Sequence, residues 1–256
     1  MAILSATVYD TLQDAIRKDT RGRSLSVEEY NSLAVIVNRS LFDDFYSKFE
    51  GNIESSDTLG LFKVFEYGID LTANANNTEA VGTLPANYYH IIGLPRTISG
   101  TPGTVSPVDV VTAQEHSIRI NDYLTQPTVT YPMCQIGGVT GAGVMQIRAY
   151  PYVIAKIYID YLRAPNTPYL DFYVNDTNLN YTYMLTGATV TVPLGSTYRD
   201  ETPGVTVQAS QTINWEYDDE DLSLIIAKFM SMIGIQLESE ILVQAGQLTE
   251  AKAQMK

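Results

Sequence analysis

The residues best suited to chemistry lie near the C-terminal end, in the run Asn214-Trp215-Glu216-Tyr217-Asp218-Asp219-Glu220-Asp221-Leu222. It holds the chain's one tryptophan and five acids within six positions. A calcium loop needs alternating acids and a glycine, and here the acids are contiguous and without one. Adjacent side chains do not converge on one ion without an unusual backbone. A glycosidase acid pair is assembled from distant residues, so it stays open, but no spacing argues for it. The local account is a helix start. Asp218 or Asp219 caps a helix, and Glu220 and Asp221 sit in its first turn against the positive end of its dipole, each contributing ~0.3–1 kcal/mol. That explains two or three acids and leaves a surplus. The set Glu216, Asp218, Asp219, Glu220 and Asp221 is therefore expected to form an acidic surface, and Trp215 to anchor the turn before the helix in the core.

The remaining inventory is thin. His90 follows Tyr88-Tyr89 and His116 sits in Gln114-Glu115-His116-Ser117, neither with a Cys or His at zinc-ligand spacing. Cys134 has no local partner that would activate it and reads as a small buried residue. The run Gly137-Gly138-Val139-Thr140-Gly141-Ala142-Gly143 lacks the Lys-Ser/Thr of a phosphate loop, and β-like residues follow it, so it reads as a hairpin tip. No catalytic residue, metal or cofactor is expected.

The bulk composition narrows the classes further. The 256 residues, 45% hydrophobic and 18% charged, suit a globular chain with a real core. Sixteen Lys and Arg against 29 Asp and Glu leave a net charge of −13, which disfavours wrapping nucleic acid. The one basic cluster, Arg17 to Arg23, reads as a solvated loop between helices. A lone cysteine implies no oxidising compartment. The N-terminus is unlike a signal peptide and no apolar stretch is long enough to span a bilayer, so assembly in a cytoplasm is expected.

The elements that must position these residues follow from periodicity. Val8, Leu12, Ala15 and Ile16 predict a helix over 5–19. Ser26-Val27-Glu28-Glu29 is a capping box opening a helix to about Phe49, with Tyr30, Leu33, Val37, Leu41, Phe45 and Phe49 as its stripe. Residues 57–80 are ambiguous. Strands are expected at 105–111, 128–131, 144–148, 154–162, 169–174, 183–192 and 205–213, with a helical run at 112–124. Leu222, Ile225, Ile226, Phe229, Met230 and Ile233 predict a helix, with Gly234 a point where it kinks or breaks, and a further helical stretch carries Ile241, Ala245 and Leu248. The fold class is α+β: amphipathic helices at both ends forming a helical bundle around a central antiparallel β-rich region. The chain reads as one domain, 1–256, helical over 1–50, mainly β over 80–213, and helical with a tail over 218–256.

In the order of these features the sequence resembles the head–tail connector, or adaptor, ring proteins of short-tailed and crAss-like bacteriophages. The resemblance rests on SVEEYNSLAVIVNRSLFDDFY in the N-terminal helices, Leu84-Pro85-Ala86-Asn87-Tyr88-Tyr89 followed by His90-Ile91, and Glu115 with the run ending Gln126-Pro127-Thr128 before Pro132. It continues in YIDYLRAPNTP at 158–168 and in Trp215 with the acids opening DLSLIIAKFMSMIGIQLESE. The segment 176–204 is longer than a minimal connector needs. The resemblance implies a non-enzymatic virion protein that forms a ring with neighbouring copies, commonly a dodecamer. Such a ring sits under the portal protein, extends the DNA channel without gripping DNA, and docks tail or second-ring proteins. It implies that the tail 246–256, with Leu248, Ala251 and Met255, contacts the portal, and that the acids of 216–221 face a subunit contact or the channel wall. A carbohydrate-binding or other β-rich virion protein, with tyrosines and Trp215 stacking on sugars, is the alternative. A hydrolase using distributed acids is a third reading.

Overall fold

The computed structural model describes residues 2–19, 24–51, 59–99, 103–139, 143–198, 207–236 and 247. The fold is α+β, with four helices and several largely antiparallel sheets among the described residues. The chain divides into two compact units, one of residues 62–164 and one of residues 1–61 with 165–256.

The discontinuous unit opens with α1 (Ser5–Asp19) and α2 (Val27–Gly51). Val8, Leu12 and Ile16 recur every fourth residue and are buried, so one stripe of α1 is removed from water. At the start of α2 the Ser26 hydroxyl accepts the Glu29 N–H at 3.1 Å and the Glu29 carboxylate accepts the Ser26 N–H at 3.0 Å. The box satisfies two donors that the first turn would otherwise strand. Tyr30, Leu33, Val37, Leu41 and Phe45 are all buried along α2.

The inserted unit is built from β1 (Lys63–Asp70), β2 (Thr72–Ala73), β3 (Ala80–Thr83), β4 (Tyr88–Ile91), β5 (Arg96–Ser99), β6 (Thr104–Pro107), β7 (Asp109–Val110), α3 (Ala113–Asn121), β8 (Met133–Val139), β9 (Met145–Tyr150) and β10 (Lys156–Arg163). One sheet runs β1-β10-β5-β6 with β4 also on β10, and a second runs β2-β3-β9-β8-β7. All pairs are antiparallel except β7 with β8. On β10 the alternation puts Ile157, Ile159 and Tyr161 into a core with Ile69, Ala80 and Ile147, while Tyr158 and Asp160 stay half-exposed. Gly82 lies so close to β1 that a Cβ there would fall 2.7 Å from the Ile69 side chain, which is why the strand carries glycine at that point.

The discontinuous unit resumes with β11 (Asp171–Asn175), β12 (Tyr181–Met184), β13 (Thr189–Thr191), β14 (Ser196–Tyr198), β15 (Val207–Ala209) and α4 (Leu222–Gln236). The sheets are β12-β11-β14 and the pair β13-β15. Asn31 ties α2 to the start of β11, its amide donating to Leu170 O at 2.9 Å and accepting the Leu170 N–H at 2.8 Å. The described part of the long 176–204 segment holds the three short strands β12, β13 and β14, joined by turns.

Several sequence expectations shift. Residues 128–131 are a turn rather than a strand, held by Thr128 N–H to Tyr131 O at 3.2 Å. Pro127 and Pro132 bracket it and cannot donate to a ladder. The expected strand 105–111 splits after Pro107 into β6 and β7, which belong to different sheets. The expected strand 183–192 likewise breaks into β12 and β13 around a turn at Thr186-Gly187. The ambiguous 57–80 region contributes β1, and α4 runs through Gly234 without interruption. Phe49, the Arg17–Arg23 loop in large part, and Ile241, Ala245, Leu248, Ala251 and Met255 lie outside the residues or side chains described.

Candidate functional site

The acid-rich run begins as an extended segment against the N-terminus. Trp215 N–H donates to Ile3 O at 3.0 Å in an isolated antiparallel bridge, and the Asn214 side-chain oxygen accepts from Ser5 N–H and the Thr186 hydroxyl. Trp215 is completely buried. Its indole donates to the Tyr30 hydroxyl at 3.0 Å, and that hydroxyl donates onward to Ser5 O at 3.2 Å. Phe229 of α4 stacks on Tyr30 at 5.3 Å and meets Trp215 edge-on at 5.8 Å. One aromatic cluster, with the hydrogen bond to Ser5, thus joins α1, α2, α4 and the extended segment before α4. Burial pushes the Tyr30 phenol above its ordinary value, with the Trp215 and Ser5 hydrogen bonds opposing.

The five acids divide by environment. Glu216 is a structural acceptor: its two oxygens take the backbone and side-chain N–H groups of Asn166 at 2.7 and 2.9 Å. Between them and the helix, Tyr217 is buried and donates to Asn38 O of α2 at 3.1 Å. Asp218, Asp219 and Glu220 are exposed. Asp221 is half-buried; burial first, and then Asp218 and Glu220, push its carboxyl above the usual aspartate value, against the pull of its backbone hydrogen bond and Lys48.

The helix start takes an unexpected form. Asp218 occupies the N-cap position of a 3-10 turn, Asp219–Asp221, that leads into α4 at Leu222, but its side chain makes no capping bond. The Asp218 carbonyl takes the Asp221 N–H instead, at 2.9 Å. The expectation of an Asp218 or Asp219 side-chain cap is corrected on this point, because the tighter turn satisfies the first donor through the backbone. The acids still lie at the positive end of the helix. The buried face of α4 is also rotated from the expected one. Ile225 is fully buried, but Leu222 and Ile226 are only partly so, and Leu224, Ala227, Lys228, Phe229 and Ile233 complete the face. Lys228 belongs to it because its ammonium reaches Asp44 at 2.7 Å and Ser40 at 3.1 Å on α2.

The other sequence candidates are not brought together. His90 is exposed on β4 opposite Leu162. Cys134 is buried in β8, where burial pushes its thiol up to about 12, so it stays protonated and unreactive. The glycine run is a β8–β9 hairpin in its described part, not a strand-to-helix loop. His116 packs its ring 4.1 Å from Tyr150, whose hydroxyl donates to Glu79 at 2.6 Å. Burial pushes that phenol up and leaves it a donor, not a base. Among the described residues no group of three or more His, Cys, Asp and Glu is placed to hold a metal ion, and no helix is long and apolar enough to cross a membrane.

Two features stand outside what the sequence singled out. Charge is divided between the units: residues 62–164 carry six Lys and Arg against seven Asp and Glu, net −1, and the rest carries ten against 22, net −12. The second is a run from Thr112 to Tyr131 in which no residue is buried, although it carries Ile118, Tyr123, Leu124, Val129 and Tyr131. The visible signal was a set of large apolar residues in a stretch whose prolines and polar residues exclude a regular strand. Compared with known proteins, the chain matches no family model and no curated protein.

Proposed function

We propose that this chain is a structural, non-enzymatic subunit of an oligomeric ring in a virion, joining the portal to the tail and extending the DNA channel. The observation that carries the reading is the division of charge between the two units, net −12 against net −1. A ring subunit needs one surface that tolerates close neighbours and another that keeps DNA moving. The near-neutral inserted unit fits the first role, since like charges facing each other across an interface are costly. The acidic unit fits the second, because exposed carboxylates such as Asp218, Asp219 and Glu220 repel phosphate within about one Debye length.

In this reading α1, α2 and α4 act as one bundle pinned by Trp215, Tyr30 and Phe229. The bundle gives the ring a rigid wall, and the tail beyond it, with Leu248, Ala251 and Met255, reaches the portal. Neighbouring copies, commonly twelve, the portal, and tail or second-ring proteins are its partners. The virion is its location. DNA passes without specific contacts.

The mass of the purified chain, alone and mixed with a portal protein, tests the proposal. Multi-copy assembly under either condition is the expected result. A strict monomer under both would overturn it. The carbohydrate-binding alternative draws on the exposed Tyr123 and Tyr131, but not on Trp215, which is fully buried and unable to stack on a sugar. Saturable binding on a glycan array would favour that alternative.

A further inference from the structure

On β1 the large apolar residues alternate. Phe65, Tyr67 and Ile69 stand two apart, with Glu66, Gly68 and Asp70 in register with the other face. A regular strand would put Phe65, Tyr67 and Ile69 together on the core face. Ile69 and Tyr67 follow that pattern, pairing with Ile157 and Ile159 of β10. Phe65 does not. A bulge between Val64 and Tyr67 sets two residues, Phe65 and Glu66, opposite the single Asp160. Val64 therefore pairs with Tyr161 and packs against the core, while Phe65 is 65% exposed. A large aromatic ring stands in water where the strand's own pattern would bury it.

The bulge is held from β10 and β5. Glu66 has a φ of +56°, a left-handed conformation that a side chain other than glycine rarely adopts. Its N–H, which the bulge takes out of the ladder, donates to Asp160 Oδ1 at 2.7 Å. Arg96 of β5 donates to both Asp160 oxygens, at 3.1 and 3.3 Å, and to Glu66 Oε1 at 3.2 Å. Asp160 and Arg96 are half-buried, whereas the Glu66 side chain is exposed. The Asp160–Arg96 contact is therefore the less screened of the two ion pairs. It fixes the one carboxylate that satisfies the stranded donor of the bulge.

We propose that Asp160, oriented by Arg96, is a register latch for β1. With the latch closed, Phe65 is displayed at the surface. With it open, residues 63–65 slip by one position along β10, and Phe65 replaces Val64 opposite Tyr161. In the slipped register Phe65, Tyr67 and Ile69 share the core face, Val64 turns to the other face opposite Leu162, and Glu66 returns to an ordinary extended backbone. The slip also sets Lys63 opposite Arg163, a like-charge pairing that opposes it. The apolar pattern and the left-handed Glu66 thus favour one register. The Asp160–Arg96 cluster and the Lys63–Arg163 opposition favour the other. β1 is in this way a two-state element whose display of Phe65 depends on one ionic contact. The device is independent of the ring reading and stands whether or not copies of the chain assemble.

The test uses the full chain and reads the pairing itself, through nuclear Overhauser contacts between the backbone protons of β1 and β10. The wild-type chain should show Val64 against Tyr161 and Lys63 against Leu162. Asp160→Ala removes the acceptor of both the Glu66 N–H and the Arg96 guanidinium. In that variant the wild-type contacts should give way to Phe65 against Tyr161 and Val64 against Leu162. Unchanged Val64–Tyr161 contacts would overturn the proposal, because the bulge would then hold without its latch. Loss of both sets would also overturn it, because Asp160 would then hold the strand in place without choosing its register. If Asp160→Ala does not fold, Asp160→Asn is read in the same way. It keeps the side-chain shape and an acceptor for the Glu66 N–H but loses the charge that Arg96 grips. Slipped contacts beside the wild-type ones are the expected result there, and the wild-type set alone would overturn the proposal.

Discussion

Tyr30→Phe perturbs the aromatic cluster that links α2, α4 and Trp215 to the start of α1. The substitution keeps the ring, its 5.3 Å stack on Phe229 and nearly all of the buried volume. What it removes is a hydroxyl that accepts from the Trp215 indole and donates to Ser5 O. The Ser5 carbonyl sits in the first turn of α1 and retains an intrahelical partner position, so its loss is small. The indole N–H is different: it is fully buried and would have no acceptor. A stranded buried donor costs about 1–3 kcal/mol, so the total expected is about 2 kcal/mol. For a chain of this length each kcal/mol moves Tm by about 2–4 °C, giving a fall of roughly 4–8 °C. Trp215 is the chain's one tryptophan, so its fluorescence during urea unfolding reports on this cluster directly. Tyr217→Phe is the control. It removes a donor to Asn38 O, a carbonyl already inside α2, and should cost only about 0.5–1.5 kcal/mol. If Tyr30→Phe proves equal to wild type, or milder than Tyr217→Phe, then the indole–phenol bond does not hold the helices as argued.

Other expected outcomes follow from the same geometry. Burial raises the Tyr30, Tyr150 and Tyr217 phenols above the ordinary value of 10.0. Their contribution is present below the unfolded value near 10 and is lost as pH rises towards the folded values, so Tm should hold to about pH 10 and fall beyond it. Burial lowers His116, with Glu79 opposing and Arg148 adding. Stability at α3 should therefore be complete above about pH 6.5 and decline as pH falls through the folded value, and His116→Phe should flatten that decline in hydrogen exchange of α3. Neutralising Asp218, Asp219 and Glu220 to amides loses first-turn dipole stabilisation and relieves repulsion on Asp221, so stability should change by under about 1 kcal/mol. Retention of DNA by the assembled protein at low salt should rise, and unfolding instead would show that these acids serve the helix alone. Glu216→Ala, which frees both Asn166 donors, should cost about 1–2 kcal/mol although it belongs to the same cluster.

The sequence disclosed what depended on local periodicity and capping. Ser26 and Glu29 fixed the start of α2, and the alternation of Ile157, Ile159 and Tyr161 fixed the buried face of β10. It was silent where tertiary partners decide. Nothing local distinguishes Glu216, bound to Asn166 fifty residues away, from the exposed Asp218 beside it. Nor does the pattern of α4 reveal that Lys228 belongs inside, since that depends on Asp44 across the helix pair. The inserted unit has no compositional boundary because Leu61-Phe62 and Ala164-Pro165 pass into it through ordinary residues. The β-formers Thr128-Val129-Thr130-Tyr131 read as a strand, but Pro127 and Pro132 bracket them and cannot donate to a ladder.

Electron microscopy of the purified chain, alone and bound to a portal protein, tests the central claim most directly. The account predicts closed rings of uniform copy number with an open axial channel. Monomers or open, irregular aggregates under both conditions would contradict it.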